Sequence, residues 1–178
     1  MRTTFVLMRR QPLFWVLVVS MWLGSFSSSA LAQTVGEKAK LNNIVTFDGA
    51  QFDPKILDGK PTLLYFWASW CPICRREMVA LEKHYQAYKE KGFNILAVNF
   101  RDEEPKARAM IESVKPISYT VGSINDEWKR DYPTLRATPT WYLLDKNGVI
   151  RKVIVGQEVI SGGWFDGLVG ELKKVTAE

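Results

Sequence analysis

Cys71 and Cys74 are the only cysteines in this 178-residue chain, and they stand three positions apart in Cys71-Pro72-Ile73-Cys74. Sulfur at this spacing serves three chemistries: a structural bridge, a metal site or reversible disulfide exchange. A bridge closing so short a loop removes little entropy from the unfolded chain, so it makes a poor staple. A zinc site needs more ligands; the chain has no second cysteine pair, and its sole histidine, His84, reads better as a surface helix residue. Disulfide exchange needs only a sulfur that ionises near neutral pH. Copper(I) carriage by two soft thiolates stays open at this point, although neither methionine clusters nor a nearby histidine support it.

The elements around the pair suit exchange. Residues 62–67 form a continuous apolar run of strand length, which reads as a central strand buried on both faces. Ala68-Ser69-Trp70 then leads into a helix beginning near Cys71, with Met78, Leu81, Tyr85 and Tyr88 at helical spacing and Gly92 as its stop. A helix start offers unpaired N–H groups and the positive end of the dipole to a negative sulfur. Pro72 falls at the first helical position, where its missing N–H costs little. Cys74 returns beside Cys71 one turn later. Cys71 is therefore expected as the exposed nucleophile and Cys74 as the more buried resolving thiol. Arg75 and Arg76 either add positive potential or line a solvated helix face.

Further along, residues 44–47 and 51–52 flank Asp48-Gly49 as a small hairpin. A second buried strand is expected at 93–99. A helix follows at 103–114, with Pro105 in its first turn and Pro116 ending it. A short strand at 117–121 and a helix at 126–132 come next. Residues 140–144 and 149–155 read as an antiparallel hairpin around Asp145-Lys146-Asn147-Gly148, and 163–175 as a final amphipathic helix. This order predicts a three-layer α/β domain with a mixed sheet.

Residues 1–32 carry the pattern of an export signal: Arg2, Arg9 and Arg10, an apolar stretch, and the small-x-small run Ala30-Leu31-Ala32. They are expected as a signal peptide, cleaved to leave Gln33 first, or as an uncleaved N-terminal membrane anchor, for which residues 12–26 are short. Residues 33–42 read as a flexible lead-in and 43–178 as one domain. The leader holds three of the 24 basic residues and none of the 19 acidic ones, leaving 21 against 19. So balanced a remainder gives no reason to expect a nucleic-acid partner.

The segment Phe66-Trp67-Ala68-Ser69-Trp70-Cys71-Pro72-Ile73-Cys74-Arg75 resembles the active-site signature of the thioredoxin superfamily. Asn99, Thr138-Pro139-Thr140 and Leu144-Asp145-Lys146-Asn147-Gly148 match it further along in the expected order, so the resemblance spans residues 43–174. The branch it resembles is TlpA/ResA, which includes the thioredoxins of cytochrome c maturation. The resemblance implies a thioredoxin-like three-layer fold, with a central mixed β-sheet flanked by helices and an N-terminal β-hairpin. It implies that Thr138-Pro139 is a cis-proline dipeptide facing the cysteines, where Thr138 pairs with a substrate peptide as an added strand. Trp70 and Pro72 belong to the same implied substrate surface.

Glu77 matches an acidic residue that recurs in the TlpA/ResA branch. Its implied role is to raise thiol pKa values and relay protons; without that role it would face solvent. Two positions depart from the pattern. Tyr65 stands where ordinary thioredoxins carry a buried aspartate. Val79 stands where the branch often has proline, so the helix should be less kinked there.

The expected activity is reduction of disulfides in exported proteins, through a mixed disulfide at Cys71 resolved by Cys74. The resemblance suggests apocytochrome c haem-attachment cysteines or a copper-delivery protein as targets, and a membrane thiol as electron donor. No cofactor beyond the cysteine pair, no metal and no nucleic acid is expected, and membrane contact only through an uncleaved leader. A disulfide oxidase or isomerase of the same fold is the alternative, and a copper(I) carrier the alternative of a different class.

Overall fold

The computed structural model describes residues 33–156 and, beyond them, Gly170. The leader at 1–32 and all of the helix expected at 163–175 except Gly170, which is helical, lie outside the described residues. In chain order the elements are β1 (Ile44–Thr46), β2 (Gln51–Phe52), a 3-10 turn (Pro54–Leu57), β3 (Thr62–Trp67) and α1 (Pro72–Tyr88). After a second 3-10 turn (Lys89–Lys91) come β4 (Asn94–Asn99), α2 (Glu104–Val114), β5 (Thr120–Ser123), α3 (Asp126–Asp131), β6 (Thr140–Leu144) and β7 (Ile150–Val155).

The seven strands form one sheet in the order β2-β1-β5-β4-β3-β6-β7. β3, β4 and β5 run parallel, while β1, β6 and β7 pair antiparallel to their neighbours. Every residue of β3 is buried, as its unbroken apolar run predicts. Side chains alternate along it. Leu63, Tyr65 and Trp67 cluster with Met78 and Leu81 of α1 and Met110 of α2. Leu64 and Phe66 cluster instead with Trp128 of α3 and with Tyr132. These are the three layers, with the mixed sheet in the middle.

Two expectations shift. The short strand expected at 117–121 runs at Thr120–Ser123. Gly122, which normally weakens a strand, is needed inside this one. It pairs with Thr46, and a Cβ there would meet Ile44 Cδ1 at 2.6 Å and the Val45 carbonyl oxygen at 2.7 Å. Only glycine lets β1 approach so closely.

The lead-in expected to be flexible is instead tied to the β6–β7 turn. The N–H groups of Gly36 and Ala39 donate to the carbonyls of Ile150 (2.8 Å) and Gly148 (2.9 Å), and the Ile150 N–H donates to Glu37 (2.8 Å). Residues 36–39 thereby satisfy backbone groups that a free tail would leave to water. Among the described residues, no helix is long and apolar enough to cross a membrane.

Candidate active site

The site lies where β3 ends and α1 begins. The Cys71 N–H donates to the Ala68 carbonyl at 3.2 Å, closing a tight turn out of the strand. Asp102, in the loop after β4, holds that turn. Its carboxylate accepts the Ser69 backbone N–H, the Ser69 hydroxyl (2.7 Å), the Asn99 side-chain amide (3.0 Å) and the Glu103 N–H (2.9 Å). Partial burial works against its charge, yet the donors from Asn99, Ser69 and Glu103 outweigh it and hold the carboxyl below its ordinary range. Trp70 continues the clamp, its indole N–H donating to the Arg101 carbonyl at 3.1 Å.

Cys71 caps α1. Its backbone is extended, Pro72 occupies the first turn, and the Cys74 N–H points at Cys71 Sγ at 3.2 Å. This is the helix-start geometry that favours a negative sulfur. Cys71 and Cys74 are joined in a disulfide, with Cα atoms 5.3 Å apart. The Thr138-Pro139 peptide is cis, and the Thr138 carbonyl oxygen lies 3.7 Å from Cys71 Sγ. Thr138 is half-buried and Pro139 buried. The chain therefore brings Cys71, Cys74 and Thr138-Pro139 together across more than sixty residues of sequence, as the resemblance implies.

One expectation needs correction. Cys71 was expected to be exposed, but it is only 4% exposed against 0% for Cys74. The order of access is kept while its degree is not. The first turn of α1 and the Thr138 loop cover the sulfur from two sides. The exposed surface beside it belongs to Trp70, at 60%, and to Pro72.

Glu77 sits on the inward face of α1 and is 2% exposed, so the solvent-facing alternative fails. The Tyr65 hydroxyl donates to Glu77 Oε2 at 3.0 Å and reaches the Cys74 carbonyl at 3.4 Å. Burial pushes the Glu77 pKa up to about 7, against the opposing pull of Tyr65, Trp141 and Arg76. Burial and the neighbouring Glu77 charge drive the Tyr65 hydroxyl well above its ordinary value, so it remains a protonated donor. A buried acid thus stands on the helix, and Tyr65 on the strand is its hydrogen-bond partner. α1 runs unbroken through Val79, in keeping with the missing proline.

Sequence reasoning singled out Tyr65 as a departure but missed its pairing with Glu77. It also missed Trp141 and Asp102. Spacing relates neither Trp141 nor Asp102 to the cysteines; sheet register sets Trp141 opposite Tyr65, and Asn99, opposite Trp67, reaches Asp102 through its side-chain amide. Chemically, the assembly holds a redox pair, a helix start to stabilise one sulfur, and a buried carboxyl that gains and loses a proton near neutral pH.

Known proteins are similar to this chain. The family model described as Redoxin matches residues 32–162. The thiol-disulfide oxidoreductase ResA of Halalkalibacterium halodurans is 31% identical over 160 residues, covering 84% of this chain and 90% of that protein. The thioredoxin-like protein YneN of Bacillus subtilis is 32% identical over 138 residues, covering 74% and 78%. Among solved structures, a thiol:disulfide interchange protein of the thioredoxin family from Chlorobium tepidum superposes with a TM-score of 0.69 at 26% identity, covering 79% of this chain and 99% of that one. Fold, redox disulfide and relatives agree: the chain is a thiol-disulfide oxidoreductase and belongs to the redoxin family, in the TlpA/ResA-like part of the thioredoxin superfamily.

Proposed function

We propose that this oxidoreductase works outside the cytoplasm as a reductase of disulfides in exported proteins. The leader supports export through its basic end, apolar stretch and Ala30-Leu31-Ala32. The observation that carries the mechanism is Cys71 Sγ at the start of α1, 3.2 Å from the Cys74 N–H and 3.7 Å from the Thr138 carbonyl.

In the reduced chain, the Cys71 thiolate attacks one sulfur of a target disulfide, and the other target sulfur leaves as a thiolate that takes up a proton. The target strand lies along Thr138-Pro139, with Trp70 and Pro72 beside it. Cys74 then passes its proton to Glu77 and attacks Cys71 Sγ, and the second target sulfur leaves as a thiolate that takes up a proton from solvent. Two electrons have moved to the target, and the chain holds the Cys71–Cys74 disulfide. A membrane dithiol restores it by the reverse exchange. No cofactor or metal enters these steps.

Glu77 also supports the direction. A buried carboxylate near the sulfurs disfavours a second negative charge there, which keeps the dithiol a willing electron donor. Equilibration with a glutathione or dithiothreitol buffer tests this. The reductase reading expects a potential near that of thioredoxin, about −270 mV, whereas one near −120 mV marks an oxidant. Tight stoichiometric copper(I) binding without exchange of any peptide disulfide would favour the carrier instead.

A further inference from the structure

A cleft of about 880 Å³ has Trp70, Arg101, Ile124, Tyr132, Leu135 and Arg136 among its lining. Two of its lining residues stand close in sequence to the reacting site. Trp70 directly precedes Cys71, and Arg136 stands two residues before Thr138, whose carbonyl is 3.7 Å from Cys71 Sγ.

Charges around the cleft do not cancel evenly. Three carboxylates border it; two are paired with cations, while Asp102 accepts only from neutral donors and keeps its negative charge. Asp102 accepts from Ser69, Asn99 and Glu103. Glu103 pairs with Lys106 at 2.6 Å, and Glu104 with Arg108 at 2.8 Å. Lys129, also on the wall, pairs with Asp126 at 2.8 Å. Arg101 and Arg136 are different: neither pairs with a carboxylate among the described residues.

Both arginines are nevertheless held in place. The Arg136 guanidinium donates to the carbonyls of Pro133 and Leu135, which orients it and leaves its charge uncompensated. The Arg101 guanidinium lies 4.9 Å from the centre of the Phe100 ring. Its backbone has φ +52°, in the left-handed region that few non-glycine residues occupy, and its carbonyl is held by Trp70. Two held guanidiniums with no carboxylate partner among the described residues thus stand against the one unpaired carboxylate of Asp102, at a cleft with an aromatic and aliphatic wall.

Building on the exchange reaction proposed above, we infer that this cleft is the subsite for the target chain flanking the reacting cysteine, and that it selects acidic flanks. A target tethered at Cys71 and lying along Thr138 continues past Arg136 into the cleft. Aspartate or glutamate side chains there meet Arg101 and Arg136 in charge-assisted hydrogen bonds. The exposed face of Trp70 packs against the apolar stems of the same segment.

Three disulfide-linked peptides, identical except for acidic, neutral or basic residues flanking the cysteine, test this against the reduced full-length chain. At low salt the acidic peptide should form the mixed disulfide about threefold to tenfold faster than the neutral one, and molar salt should erase the advantage. Arg136→Glu and Arg101→Glu should each shift the preference toward the basic peptide, an inversion that misfolding cannot produce. Equal rates for all three peptides, or a preference that neither substitution moves, would overturn acidic selection while leaving the reductase standing. Failure of every peptide to exchange would instead overturn the functional reading and this inference with it.

Discussion

Phe66 and Tyr65 are neighbours on β3, yet they look into different worlds. The Phe66 ring packs against Trp128, Tyr132 and Tyr142, with centroid distances of 5.9, 5.0 and 5.9 Å. Nothing there is asked to ionise. Tyr65 packs on Trp141 at 4.9 Å, but its hydroxyl serves Glu77 and the Cys74 backbone. One face of the strand stabilises the fold by burying rings. The other gives up part of that gain to keep a carboxyl poised near neutral pH beneath a redox pair. The division follows from the two-residue period of a strand, which lets adjacent residues serve separate purposes.

Substitutions on each face should separate these purposes. Cys71→Ser should have the largest effect and eliminate exchange with a peptide disulfide, while leaving the thermal midpoint near that of the reduced wild type. Retained turnover, followed by thiol release, would contradict it. On the opposite face, Phe66→Ala should cost about 3–5 kcal/mol in urea unfolding, with exchange by the folded fraction unchanged.

Glu77→Gln is subtler because its effect depends on pH. The folded-state pKa of Glu77 is raised to about 7, so its stabilising contribution is complete below the ordinary carboxyl value. That contribution is lost as pH rises toward and through 7. Wild type should therefore weaken between about pH 4.5 and 7 relative to the glutamine variant, and the difference should level off above that window. Unfolding curves across pH 5–8 would show it. The same variant should slow resolution of the mixed disulfide and remove the step near pH 7 from its rate profile. The smallest effect belongs to Tyr65→Phe. Removing a hydrogen bond that favours the carboxylate should move that step above pH 7, at a stability change of about 0.5–1.5 kcal/mol.

Much of this was legible in the chain itself. The apolar run at 62–67 and the helix start at Cys71-Pro72 are local patterns, and both appear where the residues place them. The cysteine pair and Thr138-Pro139 were readable because a resemblance links residues that the fold brings together. What escaped depends on long-range contact. Gly122 reads as a strand end until β1 approaches it. Residues 36–39 read as loose until the β6–β7 turn supplies partners. The inward turn of Glu77 depends on which face of α1 meets the sheet, and its raised pKa depends on burial that no spacing reveals. Asp102 and the two arginines of the cleft lie on connecting segments, where periodicity carries no signal.

The two sulfurs divide the labour of exchange, and trapping separates their roles. After incubation of the Cys74→Ser and Cys71→Ser variants with a disulfide peptide, intact-mass measurement of each should show a stable mixed disulfide on Cys71 in the first and none in the second. A stable adduct on Cys74 in the Cys71→Ser variant, with no adduct on Cys71 in the other, would reverse these roles.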